Sequence, residues 1–228
     1  MKESLKRIPI FYSLVHRVRH FGYRVRSMPR SLQHHYRCYR FSRMVKTSSP
    51  LRIVIGAAGV FGDGWIPSDI QYLNLLRSEH WSRFFSRNSI DALLAEHVWD
   101  ILKTDEGLHA ARQCFQYLKP GGYLRVAVPD GYHPDPAYIE WVKVGGGGPA
   151  DDHKVLYNHK SLKRLFEEAG FRVELLEYFD EYGRFHYREW DEGSGKICRS
   201  KRFDQRNKDG RLNYTSVILD AHKISGSS

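Results

Sequence analysis

Four short groups of residues in this chain stand where a fold could use them for chemistry. Gly56, Ala57 and Gly59 follow the apolar run Ile53-Val54-Ile55. Asp69 closes Trp65-Ile66-Pro67-Ser68. Glu96 and His97 follow Ile90-Asp91-Ala92-Leu93-Leu94-Ala95, and Asp130 and His133 follow Tyr123-Leu124-Arg125-Val126-Ala127-Val128-Pro129. Side-chain-poor residues let a backbone approach a ligand closely. A carboxylate can accept hydrogen bonds from both hydroxyls of a ribose. The two together suggest a nucleoside-bearing ligand. Histidine titrates near neutrality, so His97 and His133 are candidate proton acceptors. Each also has a plainer reading, a structural histidine for His97 and a solvated loop residue for His133.

These groups share a position, each at the end of a short apolar run rich in β-branched residues. Such runs alternate with segments of helical spacing, the pattern of a parallel sheet covered by helices. In open α/β sheets, ligands bind beyond the carboxyl ends of the strands. Strands are expected at 51–55, 65–70, 73–76, 90–95, 123–128, 171–179 and 214–221, and helices at 79–85, 104–118 and from Asn158 or Ser161 to Ala169. Thr104 is the expected cap of the second helix, with Asp105 and Glu106 in its first turn. Lys119-Pro120-Gly121-Gly122 breaks the chain before the fifth strand. A last strand arriving with no helix before it implies an antiparallel insertion near one edge.

Two segments stand apart. Residues 131–157 form a long irregular connection through Gly145-Gly146-Gly147-Gly148-Pro149, with Asp151-Asp152-His153-Lys154 and Tyr157-Asn158-His159 beyond it. Its spacing fits no standard metal motif, and a mobile lid over a substrate site is the better reading. Asp130, His133, His153 and Tyr157 are the candidate substrate contacts. Residues 182–208 interleave aromatic and charged side chains, as in Phe185-His186-Tyr187-Arg188-Glu189-Trp190. They read as a solvated sheet edge, a sugar platform or, least of all, a nucleic-acid grip.

The net charge of +10 is concentrated at one end. Residues 1–46 carry twelve Lys and Arg against Glu3 alone, so the remainder is near neutral. Recurring apolar residues from Phe11 to Tyr23 make this arm a basic amphipathic helix, with a linker at Thr47-Ser48-Ser49-Pro50. The expected domains are therefore an arm, 1–48, and a globular unit, 49–228. The arm either packs on a protein surface or lies on an anionic membrane; nucleic acid is the least favoured partner. No apolar run is long enough to span a bilayer. Cys38, Cys114 and Cys198 are odd in number and widely separated, which points away from disulfides and zinc knuckles and toward a reducing cytoplasm, at most peripheral to the inner face of a membrane.

The same segments resemble a known family. Ile53-Val54-Ile55-Gly56-Ala57-Ala58-Gly59, Trp65-Ile66-Pro67-Ser68-Asp69, Ala95-Glu96-His97-Val98-Trp99-Asp100-Ile101-Leu102 and, most specifically, Tyr117-Leu118-Lys119-Pro120-Gly121-Gly122-Tyr123-Leu124 are similar to motifs of class I S-adenosylmethionine-dependent methyltransferases, closest to the bacterial type 11 kind. The resemblance covers residues 51–221. It implies a Rossmann-like α/β fold, with a mostly parallel twisted sheet, helices on both faces and an antiparallel edge strand, and S-adenosyl-L-methionine as cofactor. Gly56, Ala57 and Gly59 would face its methionine part and Asp69 its ribose. Leu76 and Arg77 would border the adenine, with Glu96 and His97 beside the sulfonium. The implied reaction is methyl transfer to a small polar acceptor, such as a sugar hydroxyl. The chain departs from the pattern twice. Only nine residues separate Gly59 from Asp69, too few for the usual first helix, and Ile101 stands where relatives carry a second histidine. The alternative is a SAM-binding chain with a regulatory role and little turnover.

Overall fold

The computed structural model describes residues 29–57, 62–147 and 150–224. Gly59 and the expected arm helix from Phe11 to Tyr23 lie outside them. The chain divides into two units, 1–43 and 44–228. A helix not anticipated by the arm's pattern, α1 (Arg30–Thr47), crosses that division and ends at the expected polar punctuation. Among the described residues no helix is long and apolar enough to cross a membrane.

The larger unit is built on one seven-stranded sheet. Its strands are β1 (Arg52–Ile55), β2 (Ile66–Pro67), β3 (Ile90–Glu96), β4 (Leu118–Pro129), β5 (Arg172–Phe179), β6 (Phe185–Tyr187) and β7 (Ser216–His222), in the order β2-β1-β3-β4-β7-β5-β6. Strands β1 to β4 pair in parallel. β7 inserts antiparallel between β4 and β5, and β6 is the antiparallel edge. The sheet is thus the expected mostly parallel one, and the last strand sits inside it, two places from the edge.

Period-two alternation divides the sheet residues between two faces. Ile53, Leu93, Leu124, Val126, Val217 and Leu219 are buried on one of them. That face is the one left for the helices α2 (Ser78–Phe84), α3 (Thr104–Tyr117) and α5 (His159–Glu168). These pack in a row, with Trp81 stacked on Tyr117 and Trp99 against Phe166. α5 starts where Asn158 Oδ1 accepts from the Lys160 and Ser161 amides, satisfying two otherwise orphan donors. α3 starts differently from expectation. Thr104 is its first helical residue, and the Glu106 carboxylate reaches back to the Lys103 amide at 2.9 Å.

The other face carries Val54, Leu94, Ala127 and Ile218, and its cover is an irregular strap rather than a helix layer. Residues 190–206 cross it with two 3₁₀ turns, Glu192–Ser194 and Gln205–Asn207, and bury Trp190 and Ile197. The reading of a solvated sheet edge thus describes 182–189, where β6 lies, and is corrected for the strap beyond it. An irregular segment cannot satisfy its own backbone, so the sheet must. Arg125, 2% exposed, donates to the carbonyls of Asp191 and Gly195 and makes a bidentate pair with Asp220 at 2.8 Å. Glu177, fully buried, accepts from Trp190 Nε1 and the Lys201 amide. Glu96 accepts from the amides of Cys198 and Arg199, and the Tyr123 hydroxyl donates to Ser194.

Three further expectations change. Leu73–Leu76 is not a strand. Asn74 Oδ1 accepts from the Leu76 amide and the Asn74 amide donates to His80 Nδ1, which turns the backbone away from any ladder. β4 begins at Leu118, so Lys119-Pro120-Gly121-Gly122 is taken into the strand, with a register irregularity opposite Ile90 and Ala92. A Cβ at Gly122 would lie 2.9 Å from the Asp91 carbonyl, so that approach requires glycine. Residues 131–157 contain a helix, α4 (Pro136–Val142), whose cap Asp135 accepts from the Ala137 amide.

Arg125 is the pin whose loss is most costly. Arg125→Met leaves the Asp220 carboxylate and two strap carbonyls without partners, and is expected to cost about 3–5 kcal/mol in urea unfolding. Adding Asp220→Leu should recover much of that loss. A single variant as stable as the wild type would show that the strap is held by its apolar residues alone.

Candidate functional site

The parallel strands deliver their ends to one rim. Gly56 follows β1 and Ser68-Asp69 follows β2, and the two turns are stitched together. The Ala57 amide donates to the Ser68 carbonyl at 3.0 Å, and the Ser68 amide and hydroxyl both donate to the Val54 carbonyl at 2.8 Å. Gly56 has φ +60°, and a Cβ there would lie 3.1 Å from Val98 Cγ2. Both facts favour glycine at this position. Among the described residues between β1 and β2 there is no helix, as the short spacing requires. Asp69 is half-buried, and its Oδ1 accepts from the Gln71 amide, which fixes the carboxyl group in its own turn after β2. Beyond it, Leu76 is half-buried and Arg77 is the exposed cap residue of α2.

A cleft of about 840 Å³ opens between this rim and the strap. Gly56, Ala57, Asp63 and Glu96 line one side; Cys198, Arg199, Gln205 and Arg206 line the other. The strap cations are engaged with neighbouring carboxylates. Lys196 pairs with Glu192 at 2.8 Å, Arg199 with Glu96 at 3.4 Å, and Arg206 with Asp204 at 2.7 Å. Asp63 adds a fourth carboxylate to the lining against these three cations, so the cleft leans negative. Glu96 accordingly serves the strap's backbone, a role its place in the sequence did not suggest.

His97 lies where the chain leaves β3, in the left-handed region at φ 53°. Its amide donates to the Ala127 carbonyl at 2.8 Å, and its ring lies nearly parallel to that of Tyr214. Nε2 stands 3.3 Å from Ser216 Oγ, and Nδ1 4.0 Å from Asp100 Oδ2. Burial drives its pKa down to about 3; Asp100 opposes this, while Arg199, His153 and Arg206 reinforce it. His97 is therefore a neutral imidazole at physiological pH.

The other expected contacts serve the scaffold. His133 is not a free base. Its Nε2 donates to the Leu212 carbonyl at 2.9 Å, its Nδ1 accepts from the Asp135 amide, and its ring stacks on Tyr138. The Asp130 carboxylate is buried and accepts from the amides of Tyr132 and Phe179, tying β4 to β5; burial pushes its pKa up to about 6. His153 is buried between the Val142 carbonyl and Asp100. Tyr157 is buried against the backbone of Gly107, with its pKa raised to about 12 by desolvation. No cluster of His, Cys, Asp or Glu among the described residues has the arrangement of a metal site. The strap wall, Asp100, Tyr214 and Ser216 were not anticipated. Only Asp100, three residues after His97, carried a local cue.

A family model described as a methyltransferase domain matches residues 19–176. Solved structures similar to the chain include a SAM-dependent methyltransferase of Thermotoga maritima, 16% identical, covering 84% of this chain and 92% of that one, with a TM-score of 0.43. A SAM-dependent methyltransferase of Archaeoglobus fulgidus is 15% identical over 82% and 92% of the two chains, with a TM-score of 0.41. Phosphoethanolamine N-methyltransferase 2 of Haemonchus contortus, in complex with S-adenosyl-L-methionine, is 15% identical over 82% and 53%, with a TM-score of 0.41. No curated protein matches the chain.

The depressed pKa of His97 has a measurable sign. Between about pH 6.5 and 3 the unfolded chain binds a proton at this residue that the folded chain refuses. Stability is therefore lost as pH falls through that window. His97→Gln removes the proton from both states, so the decline in urea-unfolding free energy from pH 7 to pH 5 should become shallower. An identical decline in the variant would locate the acid sensitivity at other groups.

Proposed function

The chain belongs to the methyltransferase-domain family, and from that premise we propose that it transfers a methyl group from S-adenosylmethionine to a hydroxyl of a small polar acceptor held between the rim and the strap. The observation that carries this reading is the stitching of the turn after β1 to the turn after β2, through Ala57 to Ser68 and Ser68 to Val54. A side-chain-poor turn and a carboxylate stand together at the ends of adjacent parallel strands, the place where open α/β sheets take nucleoside ligands. The cleft volume falls in the range of small-molecule sites. Its surplus of carboxylates suits a cationic ligand.

S-adenosylmethionine, when bound, supplies a methyl carbon already activated by positive sulfur. Gly56 and Ala57 would admit its methionine part. Asp69 would accept from the ribose hydroxyls, and Leu76 and Arg77 would border the base. The remaining work of the protein is positioning, which can supply about 7–11 kcal/mol of a displacement barrier. His97 would receive the proton that the acceptor hydroxyl gives up as it is methylated. A neutral imidazole suits this task, because the methylated oxygen is strongly acidic and needs no strong base. The engaged strap cations favour an uncharged acceptor group over an anionic one. The aromatic stretch that pointed to a sugar is largely committed to the fold, with Trp190 buried beneath Arg125 and Tyr187 on the edge strand against Lys201.

Calorimetry with S-adenosylmethionine and S-adenosylhomocysteine tests the cofactor site. Asp69→Asn keeps an oxygen for the Gln71 amide and loses an acceptor for the ribose, so affinity should fall about tenfold or more with the melting temperature little changed. Methyl-labelled cofactor offered with a panel of hydroxyl compounds, nucleotide sugars included, tests the transfer. Binding of neither cofactor form by the wild type would overturn the reading; binding without a methylated product would assign the chain a regulatory role.

A further inference from the structure

Beneath the rim lies a buried arrangement that the cofactor site does not use. Asp100 is 1% exposed, and its carbonyl accepts from the amides of Lys154 and Val155, fastening the segment after the glycine run to the turn after β3. Its Oδ2 lies 3.1 Å from His153 Nε2 and 4.0 Å from His97 Nδ1. His153 Nδ1 lies 2.9 Å from the Val142 carbonyl. A carbonyl only accepts, so Nδ1 carries a hydrogen. Nε2 faces a carboxylate, which also only accepts. A histidine with an acceptor at each nitrogen is an imidazolium, so His153 and Asp100 form an ion pair. Neither Asp100 carboxylate oxygen accepts a hydrogen bond of good geometry, so the pair with His153 is ionic, and the neighbouring Tyr157 hydroxyl is likewise buried with no hydrogen-bond partner.

On the footing that His97 receives the acceptor's proton, we propose that Asp100, balanced by His153, is a positioning residue that fixes the tautomer of His97, holding hydrogen on Nδ1 and leaving the Nε2 lone pair toward the acceptor. Nδ1 is the nitrogen nearer the carboxylate, and Nε2 is the one facing Ser216 Oγ, a hydroxyl that can donate to it until a substrate hydroxyl does. The 4.0 Å separation is long for a hydrogen bond. At that range the carboxylate acts on the ring through its charge, favouring hydrogen on the nearer nitrogen. Every element packed around His97 is consistent with this polarity. Arg199 and Arg206 on the strap and the charged His153 oppose protonation of the ring, Tyr214 stacks on it, and Asp100 alone among its partners attracts the Nδ1 hydrogen. Around His153, Asp100 and Asp152 favour its charged form, and the bond to Asp100 is the largest influence. The counter-ion has a purpose in this scheme. An unbalanced Asp100 would pull a proton onto His97 and abolish its acceptor lone pair.

Ring-nitrogen spectra of ¹⁵N-histidine-labelled protein, recorded from pH 5.5 to 8.5 with and without S-adenosylhomocysteine, read this directly. In the wild type, His97 should show the Nδ1–H tautomer at every pH, and His153 should remain an imidazolium above the usual range. Asp100→Asn should turn His97 into a tautomer mixture and lower the titration of His153. His153→Gln should act in the opposite sense, making His97 take up a proton at a higher pH than in the wild type. The second variant keeps the test decisive if the first fails to fold, as circular dichroism will show. An Nε2–H tautomer in the wild type, or a His97 indifferent to both variants, would overturn the assignment. Calorimetry on the same samples separates the two readings. A wild type that binds no S-adenosylhomocysteine sinks the cofactor site and leaves the tautomer result to stand or fall by its own signals.

Discussion

The structure depends on a bargain between a sheet and a segment that has no regular backbone. A helix laid on a sheet satisfies its own amides and carbonyls and asks only for apolar contact. Residues 190–206 make few such bonds internally, so burying them requires partners from beneath. The sheet provides these with Arg125, Glu177, Glu96 and Tyr123, which meet the strap along its length. Charged groups are suited to the task because their hydrogen bonds are stronger than neutral ones. They are tolerable in the interior because Arg125 is neutralised by Asp220 and both Glu177 oxygens accept hydrogen bonds. One wall of the cleft exists only because these bonds hold.

The electrostatics of the site follow from the same arrangement. Arg199 and Arg206 reach the cleft, but each is engaged by a carboxylate, so their field is felt more than their hydrogen bonds are offered. That field and burial together keep His97 uncharged. Asp100 and His153 sit on the far side as a compact pair, oriented toward the ring without adding net charge beneath it. A buried imidazole among these charges keeps both its neutrality and an unprotonated nitrogen at physiological pH.

Much of this was legible in the sequence, and the failures share a cause. The apolar runs that became β1, β3, β5 and β7 announced themselves because their partners hardly matter; burial alone selects them. The end-of-strand rule then placed Gly56 and Asp69 on one rim, as the register of β1 and β2 requires. Glu96, Arg125 and Glu177 looked like ordinary surface charges, since the strap atoms that justify them lie between 13 and 103 residues away along the chain. Tyr187 and Trp190 likewise read as part of a polar edge until the fold supplied their neighbours. Asp130, His133, His153 and Tyr157 have the chemistry of a site, yet in three dimensions the first three are occupied by backbone or ion-pair partners and the fourth is walled in. The cap of α4 at Asp135-Pro136 was a local signal that the glycine run nearby obscured.

The pins on the strap grip mostly amides and carbonyls, which every residue type shares. Asp191 and Gly195 are held through their oxygens, Cys198, Arg199 and Lys201 through their nitrogens. Cys198 and Gln205, which face the cleft from this segment, make no side-chain bond to the sheet, whereas Arg199 and Arg206 keep their carboxylate partners. Such an arrangement separates inheritance of the scaffold from inheritance of selectivity. The matched family region ends at residue 176, before the strap begins, so a change at Cys198 or Gln205 alters the chemistry of the wall while the machinery across the cleft is passed on unaltered.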